Sequence, residues 1–96
     1  MNAAIHNPLL VDKEIVGSLH FPNEEILTTT ESKQKREYEL LRAASLGTDK
    51  VKIKILFEDS EGLKQVETTV WAVTKERIVL KHGATIPIKR IHEIKI

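Results

Sequence analysis

The stretch that decides the fold runs from Lys50 to Ile96: KVKIKILFEDSEGLKQVETTVWAVTKERIVLKHGATIPIKRIHEIKI. It opens with a clean alternation. Val51, Ile53, Ile55 and Phe57 fall on one face, and Lys50, Lys52, Lys54 and Glu58 on the other, with Leu56 the exception on the polar side. A period of two marks a strand with one face buried. Asp59-Ser60-Glu61-Gly62 then predicts a four-residue turn with glycine last, where positive φ is wanted. Leu63–Thr74 predicts a second, long strand whose two faces both become apolar over Val70–Val73. That pattern suits a strand shared between two halves of a barrel.

Lys75-Glu76 reads as a tight turn, although the usual Gly or Asn is missing. A third strand follows at Arg77–Lys81, a turn at His82-Gly83, and a short strand at Ala84–Ile86. Pro87 cannot donate to a ladder and marks an edge or strand end. Ile88–Ile91 has room for one 3₁₀ turn, and Glu93–Ile96 for a last short strand. The expected core is Val51, Ile53, Ile55, Phe57, Val70, Ala72, Ile78, Leu80, Ile86, Ile91 and Ile94.

Upstream lies one clear helix, over about residues 28–47. Thr28 and Glu31 have the spacing of a capping box, with Thr30 as an alternative cap, and Gly47 sits where a left-handed terminal residue is expected. Glu31–Lys35 and Lys33–Glu37 are opposite charges four apart, each worth a few tenths of a kcal/mol. Tyr38, Leu41, Ala44 and Ser45 share a face flanked by Leu40 and Ala43, which is expected to lie on the sheet. Residues 1–20 lack a sustained period and read as a tail of about ten residues followed by an extended segment. Lys13–Phe21 could pair there as an edge strand.

The chain thus reads as one α+β domain over residues 1–96, an N-terminal helix packed on a small antiparallel sheet or barrel over 50–96. Its 96 residues allow one modest core, 41% of them apolar and only 4% aromatic, so Ile, Val and Leu must fill it. No cysteine is present, which excludes disulfides, thiolate metal sites and a cysteine nucleophile, and fits a reducing, cytoplasmic setting. The first residues have neither the basic leader nor the apolar run of a signal peptide, and no span approaches the ~20 apolar residues that cross a bilayer.

The stretch Val79–Ile94, with its glycine turn at Gly83 and its Ile86-Pro87-Ile88 segment, resembles the C-terminal part of small SH3-like and Sm-like barrels. The whole chain also resembles small uncharacterised bacterial proteins, through Glu67–Thr74, Leu80-Lys81, Gly83 and Ile86–Ile88. The first likeness implies an SH3-like barrel behind the helix, and the second implies no activity. The glycine or Asn-Gly signature of Sm-like RNA-contact loops is absent.

No catalytic constellation emerges. The glycines are isolated, so no phosphate loop exists, and Glu24-Glu25 looks like an acidic helix start. His6, His20, His82 and His92 are scattered, and a pair such as His82 and His92 falls short of a metal site. The chain is therefore expected to be non-catalytic and to need no cofactor or metal.

Charge gives the one hint of a partner, with −3 over residues 1–49 and +4 over residues 50–96. Lys50, Lys52 and Lys54 line one strand face, and Lys81, Lys89, Arg90 and Lys95 cluster near the C-terminus. With Trp71, the residues Lys50, Lys52, Lys54, Lys81, Lys89 and Arg90 are the candidate contacts for a polyanion or a protein. The bland alternative is a solvated face whose lysines discourage edge pairing, with Trp71 in the core or against the helix. On sequence alone a protein-interaction or adaptor module is favoured over a nucleic-acid-binding barrel, because stacking aromatics are scarce.

Overall fold

The structure, a computed structural model, describes residues 7–96, and is α+β. Residues 1–6, including His6 and much of the expected tail, lie outside the described residues. The elements are β1 (Leu9–Val11), α1 (Lys13–Val16), α2 (Thr30–Thr48), β2 (Ile53–Asp59), β3 (Gly62–Thr68), β4 (Val70–Val73), β5 (Arg77–Leu80), β6 (Thr85–Pro87) and β7 (Ile91–Lys95). The long helix is thus not the first element. The segment expected to be an edge strand at Lys13–Phe21 starts as a helical turn, and the edge strand lies earlier, at β1.

The strands form two sheets, of order β1-β3-β2-β7 and β4-β5-β6, and not a closed barrel. The physical reason lies at Thr69. The long second strand breaks there into β3 and β4, and the Thr69 carbonyl accepts from Lys81 N at 2.9 Å. The chain crosses from one sheet to the other at that point, and of the apolar run Val70–Val73 only Val70 is buried, with Trp71 and Ala72 exposed. β1 pairs parallel to β3, with Leu9 opposite Lys64 and Val11 opposite Val66.

Local chemistry sets the turns. Asp59 Oδ1 accepts from Glu61 N (2.9 Å) and Gly62 N (3.1 Å), and Gly62 has the expected positive φ, +138°. At Lys75-Glu76 the Thr74 hydroxyl accepts from Glu76 N and Arg77 N, doing the work expected of Gly or Asn. The expected 3₁₀ turn forms at Ile88–Arg90. A tight turn at Lys81–Gly83, left-handed at His82, joins β5 to β6.

One cluster unites the layers: Val16 of α1, Leu40 and Ala43 of α2, Ile53, Ile55, Phe57, Val66, Ile91 and Ile94 of the larger sheet, and Val70, Ile78, Leu80 and Ile86 of the smaller. Each such aliphatic side chain contributes ~1.5–3 kcal/mol on burial. Two expected core residues are not in it: Val51 precedes β2 and is exposed, and Ala72 faces outward from the edge strand β4.

α2 packs on β4 and β7 through Arg36, Leu40, Ala43 and Gly47, so the face built on Tyr38, Leu41 and Ser45 points to solvent instead. Buried Arg36 is the reason. Its guanidinium reaches Glu25 at 2.9 Å and the Ile91 carbonyl at 3.0 Å, while Glu39 accepts from Ile94 N at 2.9 Å. Polar side chains of the helix thus occupy the outer edge of β7, which rotates the helix relative to its purely apolar stripe. Thr29, not Thr28 or Thr30, is the N-cap, accepting from Ser32 N at 3.1 Å. The i,i+4 ion pair formed is Lys35–Glu39, at 3.8 Å.

Candidate functional site

The end of α2 builds one wall of a cleft. Val51 N donates to Leu46 O at 3.1 Å and Lys50 N to Gly47 O at 3.0 Å, the paired bonds of a Schellman ending. The left-handed residue of that ending is Lys50, with φ of 61°, and the expected Gly47 lies one turn back inside the helix. Gly47 serves a different need. A Cβ there would stand 1.8 Å from the Val70 carbonyl oxygen, so helix and β4 can meet only at glycine.

That close approach brings Trp71, the next residue of β4, beside the helix end. Trp71 is 58% exposed, not buried in the core or under the helix. Around it stand Lys50, Lys52, Lys81, Thr48 and the buried Thr69, lining a cleft of about 400 Å³. No carboxylate lines it, whereas the grooves near Lys13, Lys33 and Lys75 each include a glutamate.

The fourth side belongs to the β5–β6 loop. Leu80 N donates to Ala84 O at 2.8 Å, and His82 and Gly83 both take positive φ, 73° and 96°. This geometry turns the His82 ring onto the indole, with centroids 5.9 Å apart and planes at 58°. Left-handed conformation costs a non-glycine residue ~1–2 kcal/mol. Among the described residues only Lys50 and His82 bear that cost without being glycine, and both border Trp71.

The remaining basic residues lie elsewhere. Lys54 is on the outer face of β2, between Glu67 and Lys95. Lys50 and Lys52 therefore do not share a strand face with it, because β2 begins only at Ile53. Lys89 is exposed beside a groove with Phe21, Pro22 and Pro87. Arg90 is withdrawn altogether: at 5% exposure its Nε donates to Glu58 O (3.0 Å) and its guanidinium to Glu24 O (2.9 Å). It clamps two backbone carbonyls from inside the fold.

His92 is apart from His82 in its bonding, lying 3.0 Å from Glu58 Oε1, and no group of three His, Cys, Asp or Glu gathers among the described residues. Among those residues no helix is long and apolar enough to cross a membrane.

In chemical terms the cleft offers an open π-face, three ammonium donors and two threonines. Lysines supply mobile point charges for an anion without fixing its geometry, while an indole face accepts any planar ring. His82 and Thr69 were not legible as site residues, since their placement depends on the strand break and the loop conformation. Comparison with family models, with curated proteins and with solved structures finds no match to this chain.

Proposed function

We propose that the protein is a non-catalytic binding domain that holds single-stranded nucleic acid in the Trp71 cleft. One observation carries this reading: an exposed indole sits among Lys50, Lys52 and Lys81 in a concavity with no carboxylate in its lining. Base stacking on an aromatic side chain, combined with a cationic path for the backbone, is how single strands are held without sequence readout. Duplexes bury their base faces and would lose the indole contact.

Trp71 is the sole tryptophan, so its fluorescence reports the site directly. Titration with single-stranded DNA and RNA at low salt should quench it, with micromolar affinity. Two phosphates held among the three lysines give a slope of log affinity against log salt of about −1.4, at ~0.7 per contact. Lys52→Glu and Lys81→Glu should each weaken binding at least several-fold. Unchanged fluorescence and unchanged anisotropy of a labelled strand would overturn the reading.

A second reading, an adaptor that presents α2 to a protein, has its own support. Tyr38 and Leu41, three residues apart on the solvent face of α2, are 62% and 69% exposed. The two readings separate cleanly. Tyr38→Ala with Leu41→Ala leaves strand binding intact under the first and removes the docking face under the second.

A further inference from the structure

The Trp71 cleft does not end at Lys81. A second concavity, of about 430 Å³, lies on the other side of that residue and is lined by Lys13, Glu14, Gly17, Lys81, His82, Gly83 and Ala84. Lys81 is common to both, and the His82 ring, tilted at 58° to the indole with centroids 5.9 Å apart, lines the second. We infer that the binding track continues over Lys81, with His82 as a second stacking platform and Lys13 as a further phosphate contact. This rests on the strand-binding reading above.

Three features support the extension. First, His82 is exposed, so burial does not repay its left-handed backbone, and what that backbone secures is the position of an imidazole beside an indole. Strain of this kind concentrates at binding sites. Second, the ring pair is neither buried nor part of the hydrophobic cluster, so both rings keep faces open to a ligand. Third, the track has a natural end. Glu14 lies 3.5 Å from Lys13, and its carboxylate is held below the usual range by a backbone hydrogen bond and by that ammonium. The next backbone phosphate beyond Lys81 meets Lys13 there, and any later one meets Glu14 and is repelled. The geometry therefore describes a short track, of two to four nucleotides, and not a continuous groove.

The test is a length series. Fluorescein-labelled oligothymidylates and oligouridylates of two to eight nucleotides are titrated by anisotropy against wild type, His82→Asn, Lys13→Gln and Trp71→Ala. Asparagine tolerates the left-handed conformation, so it removes the ring while sparing the loop. Wild-type affinity should rise up to about four nucleotides and then level off. His82→Asn should bind the dinucleotide as wild type does and the tetranucleotide roughly ten-fold more weakly, the scale of one lost stack. Lys13→Gln should lower the salt slope for the tetranucleotide by about 0.7.

Equal tetranucleotide affinity in His82→Asn and wild type, with binding lost in Trp71→Ala, would overturn the track and leave the cleft standing. Absence of wild-type binding at every length would overturn both. An affinity that keeps climbing to eight nucleotides would overturn the proposed end at Glu14.

Discussion

Gly47 of α2 lies directly against Val70 of β4, so close that a methyl group on its Cα would stand 1.8 Å from the Val70 carbonyl oxygen. This contact joins the helix to the smaller sheet and sets the distance between Lys50 and Trp71. Backbone cannot yield as the tip of a long side chain can. Gly47→Ala should therefore cost ~1–3 kcal/mol despite alanine's better helix propensity, in the range of overpacking and backbone displacement. Urea denaturation measures it. An unchanged or raised midpoint would show that helix and strand separate freely.

Lys50 holds the left-handed position that helices commonly give to glycine. Lys50→Gly should stabilise the fold by ~1 kcal/mol by removing the left-handed cost, and should weaken strand binding by removing a cleft charge. Lys50→Asn is the control, keeping the backbone preference without the charge. Equal stability in Lys50→Gly and wild type would mean that the lysine side chain offsets its own backbone strain.

Thr68 is buried at 2% exposure opposite Ile53, and its Oγ1 has no hydrogen-bond partner among the described residues. Valine has nearly the same shape and leaves no polar atom to satisfy. Thr68→Val should stabilise by ~1 kcal/mol, read as a rise in thermal midpoint. A fall would show that the hydroxyl has a partner, such as a buried water.

How much of this was legible follows from where each residue gets its instructions. Ile53, Ile55 and Phe57 alternate with charged neighbours, so their burial was plain, and Gly62 and the 3₁₀ turn at Ile88 followed from local turn chemistry. Arg36 was not legible as an inward residue, because its burial depends on Glu25 and on the Ile91 carbonyl far along the chain. Nor was the pair Lys64–Asp59, buried with a 2.8 Å contact. Trp71 keeps the outward parity left to it by buried Val66, Thr68 and Val70, so its exposure was open to reading, whereas its place beside the end of α2 was not. Of the cationic set, Lys50, Lys52 and Lys81 converge, Lys54 and Lys89 lie elsewhere, and Arg90 is interior. Periodicity reports one strand at a time, and a site built where two sheets and a helix meet lies beyond it.

Arg90 illustrates the difference in outcome. Removing a surface lysine such as Lys52 should leave stability within about half a kcal/mol. Arg90→Ala would strand the carbonyls of Glu58 and Glu24 and should cost ~2–4 kcal/mol. Ile53→Ala should cost a similar ~2–5 kcal/mol through its cavity. A mild Arg90→Ala would return that residue to the candidate surface.

Acid should weaken the fold through Glu25. The Arg36 guanidinium, hydrogen-bonded to its carboxylate, outweighs partial burial and holds the pKa down at about 2, from an ordinary 4.5. The folded state thus keeps Glu25 ionised where the unfolded chain would take up a proton. The resulting stabilisation is complete above pH 4.5 and is lost as pH falls toward 2, amounting to at most roughly 3 kcal/mol. Asp59 acts in the same direction: burial opposes its charge, but Lys64 and the N–H groups of Glu61 and Gly62 hold its pKa below 3.8. Glu25→Gln should therefore lower stability at neutral pH while flattening, without abolishing, the decline between pH 4.5 and 2. Urea midpoints at half-unit steps from pH 6 to 2.5 follow both. A variant whose midpoint falls in parallel with wild type through that window would show that the Arg36–Glu25 pair is not what acid breaks.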